Sequence, residues 1–140
     1  MTLATTLTAA PVSNLAERFA PVAGRAALSS IFLWSGVAKI QNYAATQGYM
    51  EALGVPGALL PVAIAFEIAA PLAVVLGWHA RIAAFLLAGF SVLTALIFHF
   101  DFADQIQSIM FMKNIAIAGG FLLLTASGPG PFSLSNREAR

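Results

Sequence analysis

Residues 58–78 read ALLPVAIAFEIAAPLAVVLGW, an apolar run with one charged residue, Glu67, near its middle. About 20 mainly apolar residues are enough for an α-helix to cross the hydrocarbon core of a bilayer. The whole chain of 140 residues is 59% hydrophobic and 9% charged, whereas soluble domains have about 25% charged residues. The run is therefore predicted to span a membrane, with lipid around the outer face of the chain.

Three other segments have the same character, so the sequence predicts an all-α integral membrane four-helix bundle. Pro56-Gly57 precedes the second span, and Gly128-Pro129-Gly130-Pro131 ends the fourth. The join at residues 77–81 allows only a tight turn, whereas residues 41–57 and 100–108 are predicted to cap the bundle at the headgroup level. The predicted spans are residues 22–40, 58–78, 82–99 and 109–127.

Basic residues predict the orientation of the bundle. Five arginines lie on the side of both termini and the short turn, and two lysines lie on the opposite side: Arg18, Arg25, Arg81, Arg137 and Arg140 against Lys39 and Lys113. The positive-inside rule then places the N- and C-termini in the cytoplasm. Residues 1–21 and 128–140 are predicted to be cytoplasmic tails. For Leu15 and Phe19 two alternatives stay open, a short helix on the membrane surface or a frayed segment.

Several classes of function are excluded by composition. The net charge is +1 without any Lys/Arg cluster, so nucleic acid is not an expected partner. The chain has no cysteine, which excludes disulfides, thiolate metal sites and a dithiol relay. No metal site is predicted, because His79 and His99 fall on opposite sides of the membrane. Any enzymatic chemistry would have to come from a bound cofactor or a partner.

Glu67 is the most informative ionisable residue, because a charge near the bilayer centre costs about 2.5–3.5 kcal/mol. It is expected to be protonated, paired or hydrated. Successive residues of a helix are rotated by about 100° around its axis, so two cations and several small residues of the first span lie on one face. We expect that face to point into the bundle. The face consists of Arg25, Ser29, Phe32, Gly36 and Lys39. A structural ion pair of Glu67 with Arg25 or with Lys39 is one open interpretation.

A polar pocket in the outer half of the bundle is the other interpretation. His99 closes the third span, and Lys113 and Asn114 lie in the first turns of the fourth. With Asp101 as a further neighbour, these residues would line a pocket whose floor is Glu67. Glu67 is thus the candidate proton relay, and the candidate ligand-binding residues are Lys39, His99, Lys113, Asn114 and Arg25. Alternatively, the two lysines reach the headgroups and His99 is an interfacial histidine.

The order of several short motifs resembles the DoxX family of small four-helix bacterial membrane proteins. The resemblance covers about residues 25–134, and it departs at Ser135, where the family often has Asp. That departure weakens any role assumed for the acid. The motifs are Arg25, Phe32 with Ser35-Gly36-Val37-Ala38-Lys39, Glu67, Leu76-Gly77 with Arg81, His99, and Gly128-Pro129-Gly130-Pro131-Phe132-Ser133-Leu134.

The family is named for a membrane subunit linked to terminal quinol oxidase and to thiosulfate:quinone oxidoreduction. The resemblance therefore implies a multi-pass inner-membrane protein that is quinone-linked or supports redox chemistry, with quinone as candidate cofactor and an oxidoreductase subunit as candidate partner. In that case the quinone carbonyls would accept hydrogen bonds from Lys39, His99 or Lys113. Two alternatives stay open: a non-catalytic anchor or scaffold for a soluble oxidoreductase, and a small transporter or proton pathway. The transporter would require a homo-oligomer, because four short helices enclose little space.

Overall fold

The computed structural model describes residues 14–135, and its regular secondary structure is entirely helical. A 3-10 turn at Gly57–Leu59 leads into the third helix. The predicted all-α class is confirmed. The five helices are α1 (Asn14–Gln41), α2 (Tyr43–Ala52), α3 (Leu60–Leu76), α4 (Ala80–Phe98) and α5 (Gln105–Ser127).

Three helical segments are long and apolar enough to cross a membrane: Gly57–Leu76, Ala80–Phe98 and Gln105–Ser127. They coincide with the second, third and fourth predicted spans. The helix α1 has 28 residues but is not among the three, since two internal cations and several serines dilute its apolar character. The first predicted span, residues 22–40, therefore stays a prediction.

The N-terminal part of α1 extends beyond the predicted span. The helix begins at Asn14 and runs through Pro21, so Leu15 and Phe19 lie in the first turns of a long helix rather than in a separate one. Both side chains are exposed. Residues 1–13 and 136–140, which include Arg137 and Arg140, lie outside the described residues.

The helices pack as two pairs, α1 against α3 and α4 against α5, and a tight turn joins α3 to α4. Alanines on α4 allow α5 to approach closely, as is usual for helices in membranes. Contacts between α1 and α5 are few. The aromatic centre of the core is formed by Phe32 of α1 and Phe121 of α5, whose ring centroids lie 5.6 Å apart.

The bundle has two ends, which we name by the segments they carry. The termini end holds the start of α1, the turn between α3 and α4, and residues 128–135, whereas the α2 end holds α2 and the loop before α5. The inward face predicted for the first span is confirmed between these ends. Its members Arg25, Ser29, Phe32 and Gly36 are buried, and Lys39 is half-buried.

Candidate functional site

Glu67 forms an ion pair with Lys39 across the contact between α1 and α3. The Lys39 Nζ atom lies 2.9 Å from Oε2 and 3.0 Å from Oε1 of Glu67. The Ser35 hydroxyl lies 2.5 Å from the same Nζ and 3.5 Å from Oε1. Glu67 is only 3% exposed. Of the two pairings that the sequence allowed, the structure contains the one with Lys39.

Gly36 makes this ion pair possible, because it removes the side chain where α1 meets α3. A Cβ atom on Gly36 would lie 3.0 Å from Cγ1 of Ile68 and 3.4 Å from Cβ of Glu67. The missing side chain lets the two helix backbones approach, as small residues do in membrane bundles. Gly36 was predicted to lie on the inward face of α1, but its position opposite Glu67 was not predicted.

The ion pair lies in the wall of a cavity of about 830 Å³ at the α2 end. Most of the lining side chains are apolar, and Phe32, Phe66 and Phe90 are among them. The Phe66 and Phe90 rings lie 5.0 Å apart, and the Phe32 and Phe90 rings 6.3 Å apart. The cavity also brings together five of the six residues predicted for the site: Lys39, Glu67, His99, Lys113 and Asn114.

The side of the cavity formed by α5 and the end of α4 carries polar groups that the protein leaves largely unused. The Nδ1 atom of His99 lies 2.7 Å from Oε1 of Gln107, a partner that the sequence did not suggest. The Nζ atom of Lys113 lies 3.8 Å from the Met110 sulfur. The side-chain amide of Asn114 forms no hydrogen bond within residues 14–135. This wall can therefore donate hydrogen bonds to a bound molecule.

The cavity opens sideways, between α3 and α4. Several lining side chains are also exposed at the surface of the bundle. They include Leu59 of the 3-10 turn, Val62 of α3, and Phe85, Leu86, Leu93 and Ile97 of α4. These residues lie within segments able to cross a membrane, and their exposed apolar side chains are suited to contact with hydrocarbon.

Arg25, the sixth predicted site residue, lies at the termini end and does not line this cavity. Its side chain is 1% exposed, and Nη2 donates a hydrogen bond to the Phe132 carbonyl over 2.6 Å. The Phe132 ring in turn stacks on Phe19 and lies 5.5 Å from the Arg18 guanidinium. Arg25 thus holds the segment after α5 against the bundle.

Asp101, expected near the pocket, lies in the loop before α5 instead. Its carboxylate accepts a hydrogen bond from the Ala103 N–H over 3.1 Å, and it does not line the cavity. Across residues 14–135, no three His, Asp or Glu side chains cluster closely enough to hold a metal ion.

Comparison with known proteins identifies related inner membrane proteins. The family model described as DoxX matches residues 20–100, which confirms the resemblance seen in the sequence. Inner membrane protein YqjF of Escherichia coli (strain K12) is 50% identical over 104 residues, which cover 74% of this chain and 80% of that protein. Inner membrane protein YphA of the same strain is 37% identical over 120 residues, covering 81% and 86% respectively. No solved structure matches the chain.

Proposed function

We propose that this chain, which belongs to the DoxX family and is a multi-pass protein of the bacterial inner membrane, binds a lipid-soluble quinone and serves as a quinone-linked membrane subunit. The observation that supports the proposal is an apolar cavity of about 830 Å³ that opens towards lipid and has a buried ion pair in its wall. Pockets for small molecules measure about 300–1,000 Å³ and combine apolar walls with a few polar groups.

A quinone headgroup matches this cavity chemically. Its ring is flat and apolar, so it can pack against Phe66 and Phe90. Its carbonyl oxygens accept hydrogen bonds, and the wall supplies donors at Lys39, His99 and Lys113. Its isoprenoid tail can leave through the opening between α3 and α4 into the membrane.

Glu67 is the candidate proton relay of this site. Reduction of a quinone to a quinol takes up two electrons and two protons, and the electrons would come from a partner oxidoreductase. Glu67 offers a carboxylate at the cavity wall, and Lys39 and Ser35 extend its hydrogen bonds along α1. A proton can pass between such a group and a bound ligand only within hydrogen-bond reach, which the position of Glu67 in the wall provides.

The same proposal includes four spans and cytoplasmic termini. At 1.5 Å per residue, α1 is about 42 Å long, which exceeds the hydrocarbon thickness of about 30 Å. It packs along α3, itself within a candidate span, and buries its polar face there. Arg18, Arg25 and Arg81 lie towards the termini end, so the positive-inside rule places that end in the cytoplasm and the cavity in the outer half.

Binding of a quinone analogue to the purified protein in nanodiscs tests the proposal. Lys39→Ala should weaken binding by about tenfold, the effect of losing one charge-assisted hydrogen bond, and Glu67→Gln should weaken it as well, because the Lys39 ammonium group then loses the carboxylate that positions it. Glu51→Gln is the matched control, because Glu51 is an exposed carboxylate outside the cavity lining. Binding that is equally tight in all four proteins would refute the proposal.

A non-catalytic scaffold for a soluble oxidoreductase is the second candidate function, and the way the Lys39–Glu67 pair ties α1 to α3 favours it. In that case the ion pair serves the fold alone. The charge swap Lys39→Glu with Glu67→Lys should then restore folding, and a partner should copurify with the protein while no quinone is retained.

A further inference from the structure

We propose that the cavity selects a ligand headgroup carrying one negative charge, held at Lys113. The inference rests on the proposed function in placing a quinone-like ring in this cavity. The α5 wall of the cavity then recognises the charge state of the ring. An ionised hydroxyquinone or a quinol anion is preferred over a neutral quinone.

The charges lining the cavity do not balance. Its formally charged side chains are Lys39, Glu67 and Lys113. The first two neutralise each other at 2.9 Å. Among the described residues, no carboxylate oxygen lies within 4.0 Å of Lys113. One positive charge therefore remains without a protein counter-charge.

The surroundings of Lys113 increase the value of an anion there. The one hydrogen-bond partner of its ammonium group in the described part of the chain is the Met110 sulfur, a weak acceptor at 3.8 Å. The rest of the lining is mainly apolar, and in such a medium opposite charges attract more strongly than in water. Lys113 is also exposed, so it can meet a headgroup arriving from the membrane.

Neighbouring groups allow recognition of more than charge. Asn114 follows Lys113 in the sequence, lines the same cavity and has an unused amide. An ionised oxygen can therefore bind Lys113 while Asn114 donates a hydrogen bond to an adjacent ring carbonyl. Lys39 can donate a hydrogen bond to the ring but cannot supply the unbalanced charge, because the Glu67 carboxylate already neutralises its ammonium group.

Two naphthoquinones that share ring and tail provide the test. A 2-hydroxy-3-alkyl-1,4-naphthoquinone is ionised at neutral pH, whereas its 2-methoxy analogue is neutral. Their affinities are measured with the full chain in phosphatidylcholine nanodiscs, after subtraction of partition into empty nanodiscs. The anion should bind about tenfold more tightly, as expected when a hydrogen bond becomes charge-assisted. Lys113→Gln should abolish this ratio, and Lys113→Arg should retain it.

Dodecanoate and dodecanol repeat the comparison without a ring, by displacement of a spin-labelled fatty acid. Equal affinity of anionic and neutral probes in the parent protein would overturn the charge preference, and so would a ratio that survives Lys113→Gln. If dodecanoate binds in a Lys113-dependent manner and neither naphthoquinone does, the charge preference stands and the quinone proposal fails. Failure of all four probes to bind overturns both.

Discussion

The two ends of α1 each carry a cation on the same helical face, but the buried Arg25 and the half-buried Lys39 have different partners. Arg25 at the termini end donates a hydrogen bond to the backbone carbonyl of Phe132. Lys39 at the α2 end meets the carboxylate of Glu67, and that pair borders a cavity. The chain therefore closes one end with its own backbone and leaves the other accessible to a ligand.

Packing is also tighter around Arg25 than around Lys39. At the termini end Gly77, with φ 72°, lies so close to Ser133 and the Arg25 guanidinium that a side chain would overlap both. The cavity beside Arg25 measures about 250 Å³, against about 830 Å³ beside Lys39. A cation on the inward face of a helix thus indicates a binding site only where the surrounding helices leave room.

The largest contrast is expected in chemical accessibility. The chain contains no cysteine, so single-cysteine variants are directly informative. Ser35→Cys lies in the cavity wall and should react with a small maleimide that partitions into the membrane, such as N-ethylmaleimide. Ser29→Cys lies on the same face of α1, outside the cavity lining and 0% exposed, and should stay unlabelled in the folded protein.

Labelling of Ser29→Cys by the same reagent in the folded protein would break the comparison. It would mean that a path continues past the aromatic ring of Phe32 towards Arg25, as a transporter or proton pathway requires. Labelling of both variants only after unfolding would show instead that the α2 end is closed as well.

The next largest effect concerns two glycines with similar backbone angles. Gly77→Ala combines a left-handed backbone with overlap, and should lower the free energy of unfolding by about 3 kcal/mol. Gly54→Ala, at φ 79° with open space around it, should cost about 1 kcal/mol. Thermal unfolding in detergent measures both. Equal losses would contradict the tighter packing assigned to the termini end.

Removal of one partner of the ion pair should have an intermediate effect. Lys39→Met leaves Glu67 buried without its cation, and should lower stability by about 2 kcal/mol, since solvent reaches the 25% exposed Lys39 side chain and moderates the larger loss seen for fully buried pairs. Addition of Glu67→Gln to Lys39→Met should recover most of the lost stability, because no charge then remains buried. A double variant as unstable as Lys39→Met alone would show that the charge on Glu67 is not the source of the penalty.

Much of the fold was predictable from the sequence because it depends on composition. Apolar runs indicated three segments that the structure shows to be long enough to span, and helical periodicity identified the inward face of α1. The helix α2 was not predicted, because Gly48 and scattered polar residues give it no clear apolar face. Its position depends on contacts with the end of α1 and with Gly57–Leu59.

The pairing of the buried charges was only partly predictable. Arg25 and Lys39 share one face, so the sequence could not choose between them for Glu67, and the close approach at Gly36 decides it. The Phe132 carbonyl is 107 residues from Arg25, and nothing distinguishes it in the sequence from any other carbonyl. Backbone partners of this kind are determined by the folded path alone.

The smallest effects are expected at the two ends of α5. This helix runs from the α2 end of the bundle to the termini end. The Asp104 carboxylate accepts hydrogen bonds from the Ile106 and Gln107 N–H groups at 2.7 and 3.0 Å, so Asp104→Ala should cost about 1 kcal/mol through loss of the N-cap. Asp101→Ala is the control, since Asp101 accepts one N–H within the loop and caps no helix.

Arg81 has the matching role at the other end of α5, where Nη1 donates to the Thr125 and Ala126 carbonyls at 2.8 and 2.6 Å. Arg81→Ala should also cost about 1 kcal/mol, because carbonyls at a helix C-terminus favour a cation. Hydrogen exchange should place its effect near Gly128, which lies beside the guanidinium, and place that of Asp104→Ala in the first turn of α5. If either substitution speeds hydrogen exchange equally at both ends of α5, the α2 end and the termini end are not independent. A change at one end would then destabilise the other through α5.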